Sequence, residues 1–226
     1  MGVFVHKNGS IQMSASLDDL RRKYALAGLR RTDLPPDPIQ LFELWFDDAV
    51  RAQVLEPSAM SLATVGPHGQ PSARIVLLKG LDARGFLFFT NYQSRKGVEL
   101  EANPRVALLV YWRELERQVS ICGAAAKVPR EESEAYFQKR HEASQWTAWA
   151  SRQSQAVARR ADLEKELAEV KKKFFGGPIA CPPRWGGYVI APATIEFWQG
   201  RPDRLHDRFC YTRQPAGAWK IERLSP

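Results

Sequence analysis

SAMSLATVGPHGQPSARIVLLKGLDARGFLFFTN, residues Ser58–Asn91, alternates short apolar runs with turn residues. Met60–Val65, Ala73–Lys79 and Phe86–Thr90 are the runs; Gly66-Pro67-His68-Gly69 and a turn around Asp82–Gly85 separate them. Runs of this length, bounded by glycine and proline, predict strands rather than helices. Val106–Trp112 and Gln118–Ala126 continue the pattern, which points to a mostly antiparallel barrel or sandwich. Ser94–Ala102 interrupts it as a short helix, ended at Asn103-Pro104 because a residue before proline avoids helical dihedrals.

Upstream, Pro35, Pro36 and Pro38 precede Ile39–Leu55, where Leu41, Leu44, Trp45 and Val50 mark the apolar side of an amphipathic helix. Residues 1–35 read as a polar, partly mobile arm, with a short helix over Leu17–Arg31 ending near Gly28. Downstream, residues 130–175 are helical in pattern, and Lys171–Lys173 before Gly176-Gly177 makes a reasonable helix C-terminus. Further strands are predicted at Trp185–Ile190, Ile195–Trp198 and Leu205–Tyr211, the last pairing with Trp219–Leu224. The expected organisation is an arm over residues 1–35 and one β domain with peripheral helices over 36–226.

With 226 residues, 44% of them hydrophobic and 11% aromatic, the chain is neither disordered nor collagen-like. No stretch approaches the roughly 20 apolar residues that cross a bilayer. The N-terminal MGVFVHKNGS has no long apolar run, so export is not expected. Cys122, Cys181 and Cys210 are odd in number and form no CxxC pair; a reducing cytoplasm fits better than a disulfide framework. His6, His68, His141 and His206 are scattered, which predicts no metal site. The net charge of +8 admits a nucleic acid, an acidic membrane surface or a phosphorylated small molecule as partner. Composition does not choose among them.

The positions of the cations narrow the choice. Arg74 and Lys79 bracket an apolar strand, roughly 16 Å apart at about 3.3 Å per residue. That span suits a long ligand with a phosphate at one end, or two anionic ligands end to end; equally, both charges could end in solvent. Ser94-Arg95-Lys96 opens the short helix, where first-turn amides favour an anion. Tyr136, Arg140 and Ser144 recur at steps of four, which on a continuous helix form one stripe, either a phosphate pocket or a plain polar face. Arg204, His206 and Arg208 alternate and share one face of the predicted strand. Like charges placed so closely repel unless something anionic or electron-rich lies over them.

RIVLLKGLD (Arg74–Asp82), FTNYQSRKG (Phe89–Gly97), LERQVSICG, ASRQSQ (Ala150–Gln155), IEFWQG (Ile195–Gly200), RLHDRF (Arg204–Phe209) and the terminal WKIERLSP closely resemble the pyridoxine/pyridoxamine 5'-phosphate oxidase family. The likeness runs in order from about Arg21 to the C-terminus. It implies an FMN-binding split β-barrel of the α+β class, a homodimer with FMN at the subunit interface. It implies oxidation of pyridoxine 5'-phosphate or pyridoxamine 5'-phosphate at C4' to pyridoxal 5'-phosphate. O2 would be reduced to hydrogen peroxide, with ammonia released from the amine.

Residue by residue, the resemblance places Arg74, Ile75, Val76, Leu77, Leu78 and Lys79 along the flavin, Arg74 near its phosphate. Phe89, Thr90 and Ser94 would touch the cofactor; Arg95 and Lys96 would bind its phosphate. Gln118, Gln153, Ser154, Trp198 and Arg208 would complete the flavin site, some from the second protomer. Lys79, Tyr136, Arg140 and Ser144 would grip the substrate phosphate, Arg204 and His206 would lie against the pyridine ring, and Arg21 and Tyr24 would close over it. Phe89, His141 and Trp146-Thr147 depart from the usual family residues. Two rival readings stay open at this stage. A flavin carrier without oxidase activity would be yellow yet consume no oxygen. A nucleic-acid module would need cations on one open face with exposed stacking aromatics.

Overall fold

The computed structural model describes residues 28–226. In chain order these form α1 (Pro38–Arg51), β1 (Ala59–Val65), β2 (Pro71–Leu77), β3 (Gly80–Asp82), β4 (Gly85–Asn91), α2 (Arg95–Ala102), β5 (Arg105–Trp112) and β6 (Arg117–Lys127). The second half holds α3 (Arg130–Gln138), α4 (Glu142–Ala150), α5 (Arg160–Lys173), β7 (Trp185–Gln199), β8 (Asp207–Arg213) and β9 (Trp219–Leu224).

Period-two burial makes the sheet. Met60, Leu62 and Thr64 of β1 are buried while Ser61 and Ala63 are half-buried. Likewise Val106, Leu108, Val110 and Trp112 of β5 point to the core. All nine strands pair antiparallel in the order β2-β1-β5-β6-β7-β4-β3, with β8 and β9 added beside β7. The first and last strands of that order, β2 and β3, are joined by Leu78-Lys79 alone. A link that short forces the sheet to curl back on itself. Helix α1 closes one end of the curl. Asp37 accepts the Ile39 amide at 3.0 Å as its N-cap, and Pro38 supplies the first helical residue. Its buried face is Leu41, Phe42, Trp45 and Ala49, with Phe42 edge-on to Phe86 at 4.9 Å and Trp45 edge-on to Phe197 at 5.1 Å. Leu44 and Val50, expected on that face, are exposed; positions 41, 45 and 49 are the i, i+4, i+8 row that meets the barrel.

Four expectations need correction. Trp185–Ile190 and Ile195–Trp198 are one strand, β7, because a bulge absorbs the proline between them. Cys122 faces Thr194 and Gly123 faces Pro192, leaving Ala193 extra. Gly123 has to be glycine there, since a Cβ would lie 2.2 Å from the Ala191 carbonyl oxygen. The 130–175 region is three helices, and residues 151–159 are not helical. Lys79 lies beyond the end of β2, its amide bonded to the Leu87 carbonyl at 2.8 Å. Finally, β8 starts at Asp207 rather than Leu205. Arg204 sits in a tight turn where Asp203 and Arg204 both have positive φ, 58° and 61°, so Arg204, His206 and Arg208 do not share a strand face.

The fork at β7 positions the site. Its N-terminal half pairs with β4 (Asn91↔Trp185 to Phe86↔Ile190), and its C-terminal half pairs with β8 (Thr194↔Thr212 to Gln199↔Asp207). Helix α3 is fastened beside the first half: Arg130 donates to the carbonyls of Cys181, Pro182 and Trp185 at 2.6, 3.1 and 3.0 Å. Ser133 Oγ accepts the Gly187 amide at 3.1 Å.

Candidate active site

A turn at the end of β4 brings the first cations together. The Asn91 carbonyl accepts the Ser94 amide at 3.1 Å and the Ser94 hydroxyl at 2.6 Å, and Ser94 caps α2. The turn is so tight that a Cβ on Gly97 would stand 2.1 Å from the Tyr92 carbonyl oxygen. The first turn of α2 is thereby folded back against β4. Lys96 becomes buried, with Nζ donating to Gln153 Oε1 at 3.0 Å, Thr90 Oγ1 at 3.3 Å and Ser94 Oγ at 3.4 Å. All three acceptors are neutral. Burial, and secondarily the charge of Arg74, hold the Lys96 ammonium below its ordinary pKa.

Lys96 opens onto a cleft of about 240 Å³ lined by Ile75, Val76 and Leu77 of β2, Lys79, Phe89, Thr90, Tyr136, Arg140, Gln153 and Trp185. Its wall is a stack of three nearly parallel rings. Phe89 and Tyr136 lie 3.9 Å apart at 7°, and Phe89 and Trp185 5.3 Å apart at 9°. The Arg140 guanidinium sits 4.7 Å over Trp185, and its Nη1 is buried with no hydrogen-bond partner among the described residues. Burial lowers the Arg140 pKa and raises that of Tyr136, whose neighbour Arg140 partly offsets the rise. A second cleft of about 190 Å³ continues past Arg140 to Ser144, Thr147 and Ser151, sharing Phe89, Thr90, Arg140, Gln153 and Trp185 with the first.

Tyr136, Arg140 and Ser144 therefore do converge, but not on one helix. Helix α3 stops at Gln138 and α4 starts at Glu142, with Arg140 in the corner. Buried Gln145 holds that corner, its amide nitrogen donating to the carbonyls of Phe137, Gln138 and Arg140 at 3.0, 3.3 and 3.0 Å.

Arg74 and Arg95 are tied elsewhere. Glu99, 5% exposed, accepts from Thr64 Oγ1 at 2.5 Å, Ser72 Oγ at 2.7 Å, Arg74 Nη2 at 3.2 Å and Arg95 Nε at 2.8 Å. Burial alone would raise the Glu99 carboxyl; the Ser72, Thr64 and Arg95 hydrogen bonds outweigh it and bring it down to about 2. Arg74 also donates Nη1 to the Leu62 carbonyl at 3.1 Å and to Thr64 Oγ1 at 2.6 Å, and Nη2 to Ser72 Oγ at 2.5 Å. Its terminal nitrogens are thus committed to the protein, and it does not line either cleft. Leu78 lines a separate groove against Phe42 and Phe46, and Ser154, with φ 71°, is exposed beside Gln153.

The other expected residues form a second cluster at the far end of β7. Gln118 faces Trp198 across the ladder, and Trp198 packs on His206 at 4.7 Å. His206 Nδ1 accepts the Arg201 amide at 3.1 Å, which leaves the proton on Nε2. Burial and the charge of Arg204 lower its pKa. Arg208 pairs with Glu196 at 2.7 Å and donates to the Ser225 carbonyl at 2.8 Å. Thirteen positions separate Trp185 from Trp198, about 40 Å of strand at about 3.3 Å per residue. None of Gln118, Trp198, Arg204, His206 and Arg208 lines either cleft. Arg21 and Tyr24 lie outside the described residues. Trp185 and Glu99 escaped the sequence reading, although Trp185-Gly186-Gly187 beside an aromatic strand and the i, i+4 pair Arg95/Glu99 were visible signals.

No group of three metal-ligating side chains occurs among the described residues, and no helix there is long and apolar enough to cross a membrane. A sheet curled by a two-residue link, with a cationic and aromatic cleft where it forks, defines a split-barrel protein. Residues 46–174 match the pyridoxamine 5'-phosphate oxidase family, and 185–226 match the pyridoxine 5'-phosphate oxidase C-terminal dimerisation region. The chain belongs to the pyridoxine/pyridoxamine 5'-phosphate oxidase family, and its dimerisation region implies a dimer. Over 210 residues it is 57% identical to the pyridoxine/pyridoxamine 5'-phosphate oxidase of Cupriavidus metallidurans, covering 93% of this chain and 99% of that protein. Its fold is similar to PhzG from Burkholderia lata in complex with tetrahydrophenazine-1-carboxylic acid, with TM-score 0.84, 34% identity, and 91% and 100% of the two chains covered. It also matches a pyridoxamine 5'-phosphate oxidase-related, FMN binding protein from Nostoc punctiforme at TM-score 0.69 and 17% identity, covering 85% and 100%, a likeness of fold alone. Membership of this family supports a flavin cofactor.

Proposed function

We propose that the protein is an FMN-dependent oxidase that converts pyridoxine 5'-phosphate and pyridoxamine 5'-phosphate to pyridoxal 5'-phosphate, working as a homodimer in the cytoplasm. The observation that carries this reading is the pairing of buried Lys96 and half-buried Arg140 in one aromatic-walled cleft. Lys96 has only neutral acceptors, and Arg140 Nη1 has none. A cation taken out of water with no opposite charge to accept from it is unfavourable, so each of the two calls for an anion. Flat rings between two phosphates satisfy both cations and the stacked wall at once.

The donor set fits FMN. Lys96 and the terminal nitrogens of Arg95 would hold its phosphate, while Ile75, Val76, Leu77, Phe89, Thr90 and Gln153 would line the rest. When bound, FMN supplies hydride acceptance from C4' and passes the electrons to O2, giving hydrogen peroxide. The chain's own residues bind and orient. Lys79, Tyr136, Arg140 and Ser144 would take the substrate phosphate. Gln118, Trp198, Arg204, His206 and Arg208 would come from the second protomer, since the length of β7 separates them from the cleft. Arg204 would clamp the pyridine ring, and His206, protonated at Nε2, would donate to its polar substituents. For the amine, hydrolysis of the product imine releases ammonia. Arg21 and Tyr24 keep the role that the resemblance gives them, closing over the substrate.

The purified protein should be yellow and should generate peroxide when pyridoxine 5'-phosphate is added in air. A yellow protein inert to both B6 phosphates would favour a carrier, and a colourless one that retards RNA in a salt-dependent way would favour the nucleic-acid reading.

A further inference from the structure

We propose that Glu99 is a positioning residue for the cofactor phosphate: an ionised, buried carboxylate that locks the Arg74 and Arg95 guanidiniums and sets the net charge they and Lys96 present. The inference rests on the FMN reading above and concerns a residue that neither touches the cleft nor lines it.

Every partner of Glu99 is a donor. Oε2 takes the Thr64 and Ser72 hydroxyls and Arg74 Nη2; Oε1 takes Arg95 Nε. The two hydroxyls in turn accept from Arg74, so the network closes around the Arg74 guanidinium and holds it in one orientation. Arg95 is fixed through Nε alone, which leaves its terminal nitrogens free to meet a ligand, and its side chain is 59% exposed. Three cations and one carboxylate leave two net positive charges, the complement of a phosphomonoester dianion. Without the carboxylate, three positive groups would crowd the first turn of α2, where the helix dipole already opposes cations.

Glu99→Gln is the discriminating change. An amide has one acceptor and one donor end, so one of the two guanidiniums must face an N–H group and lose its anchor. Titrations of FMN and of riboflavin into the cofactor-stripped protein, followed by flavin fluorescence, separate phosphate recognition from ring recognition. The expected result is an FMN Kd raised about tenfold or more, as for one lost charge-assisted hydrogen bond, with the riboflavin Kd unchanged. An FMN Kd that stays within about twofold of wild type, or equal weakening of both ligands, would overturn the proposal. If Glu99→Gln does not fold, Ser72→Ala removes one donor and keeps the charge. It should weaken FMN alone, by about threefold, and no change there would overturn the proposal as well. Wild-type protein that binds FMN no more tightly than riboflavin would instead overturn the FMN reading itself.

Discussion

The Arg140 guanidinium lies 4.7 Å above the Trp185 ring while its Nη1 is buried without a partner. The indole face holds the cation in place without neutralising it, so its hydrogen-bonding capacity is kept for a ligand. Replacing Arg140 by alanine should raise KM for either B6 phosphate about 30- to 100-fold, as for the loss of one or two charge-assisted hydrogen bonds. Thermal stability should change by less than about 1 kcal/mol, because no protein acceptor is orphaned at Nη1. Steady-state kinetics and a melting curve check both halves; an unchanged KM removes Arg140 from the substrate site.

Trp185 anchors a small second core with Phe137, Ile179 and Cys181. Trp185→Ala should destabilise the fold by about 3–5 kcal/mol, and Trp185→Phe by clearly less because the stack with Phe89 survives. Chemical denaturation of the two variants would show the order, and equal loss would contradict a stacking role.

Much of this was readable in advance, for local reasons. β1, β4 and β5 announce themselves because one face is buried and the other less so, and period two is written into Met60–Val65 and Val106–Trp112. Lys96 and Arg140 were legible as cations in compact motifs. What escaped was set by long-range contacts. Pro192 looks like a strand end in isolation, and only pairing with Gly123 turns it into a bulge. Spacing placed Tyr136, Arg140 and Ser144 on one helix, whereas the corner that gathers them depends on Gln145, several residues away. The Arg204–Arg208 alternation failed because Asp203 and Arg204 adopt left-handed backbone. Of the partners that hold the Arg74 terminal nitrogens, Ser72 is a near neighbour in sequence, while Glu99, Thr64 and Leu62 lie on other elements and leave no local mark around Arg74.

The Glu99 carboxyl, brought from an ordinary 4.5 down to about 2, makes stability pH-dependent with a definite sign. A carboxylate whose pKa is depressed on folding stabilises the native state above its unfolded value, and that contribution drains away as pH falls through the folded value. Wild type and Glu99→Gln should differ most above pH 4.5 and converge as pH approaches 2. Urea unfolding along a pH series tests this; a constant gap would contradict it.

Gly97 sets the turn that delivers Lys96. A Cβ there meets the Tyr92 carbonyl oxygen, which is backbone and gives little. Gly97→Ala should destabilise the protein by about 1–3 kcal/mol or more and weaken FMN binding. Calorimetry with and without FMN measures both, and a silent substitution would show that α2 can move without loss.

The claim on which the rest depends is that Arg140 of one protomer and Arg204 of the other serve the same site. Assayed at substrate well below the wild-type KM, Arg140→Ala and Arg204→Ala homodimers should each be nearly inactive, Arg204→Ala with raised KM and lowered kcat. Mixing the two under conditions that exchange subunits should restore activity to about a quarter of wild type, because half the dimers then carry one intact site. Mixed dimers confirmed by mass spectrometry yet no more active than either parent would contradict a site shared between protomers.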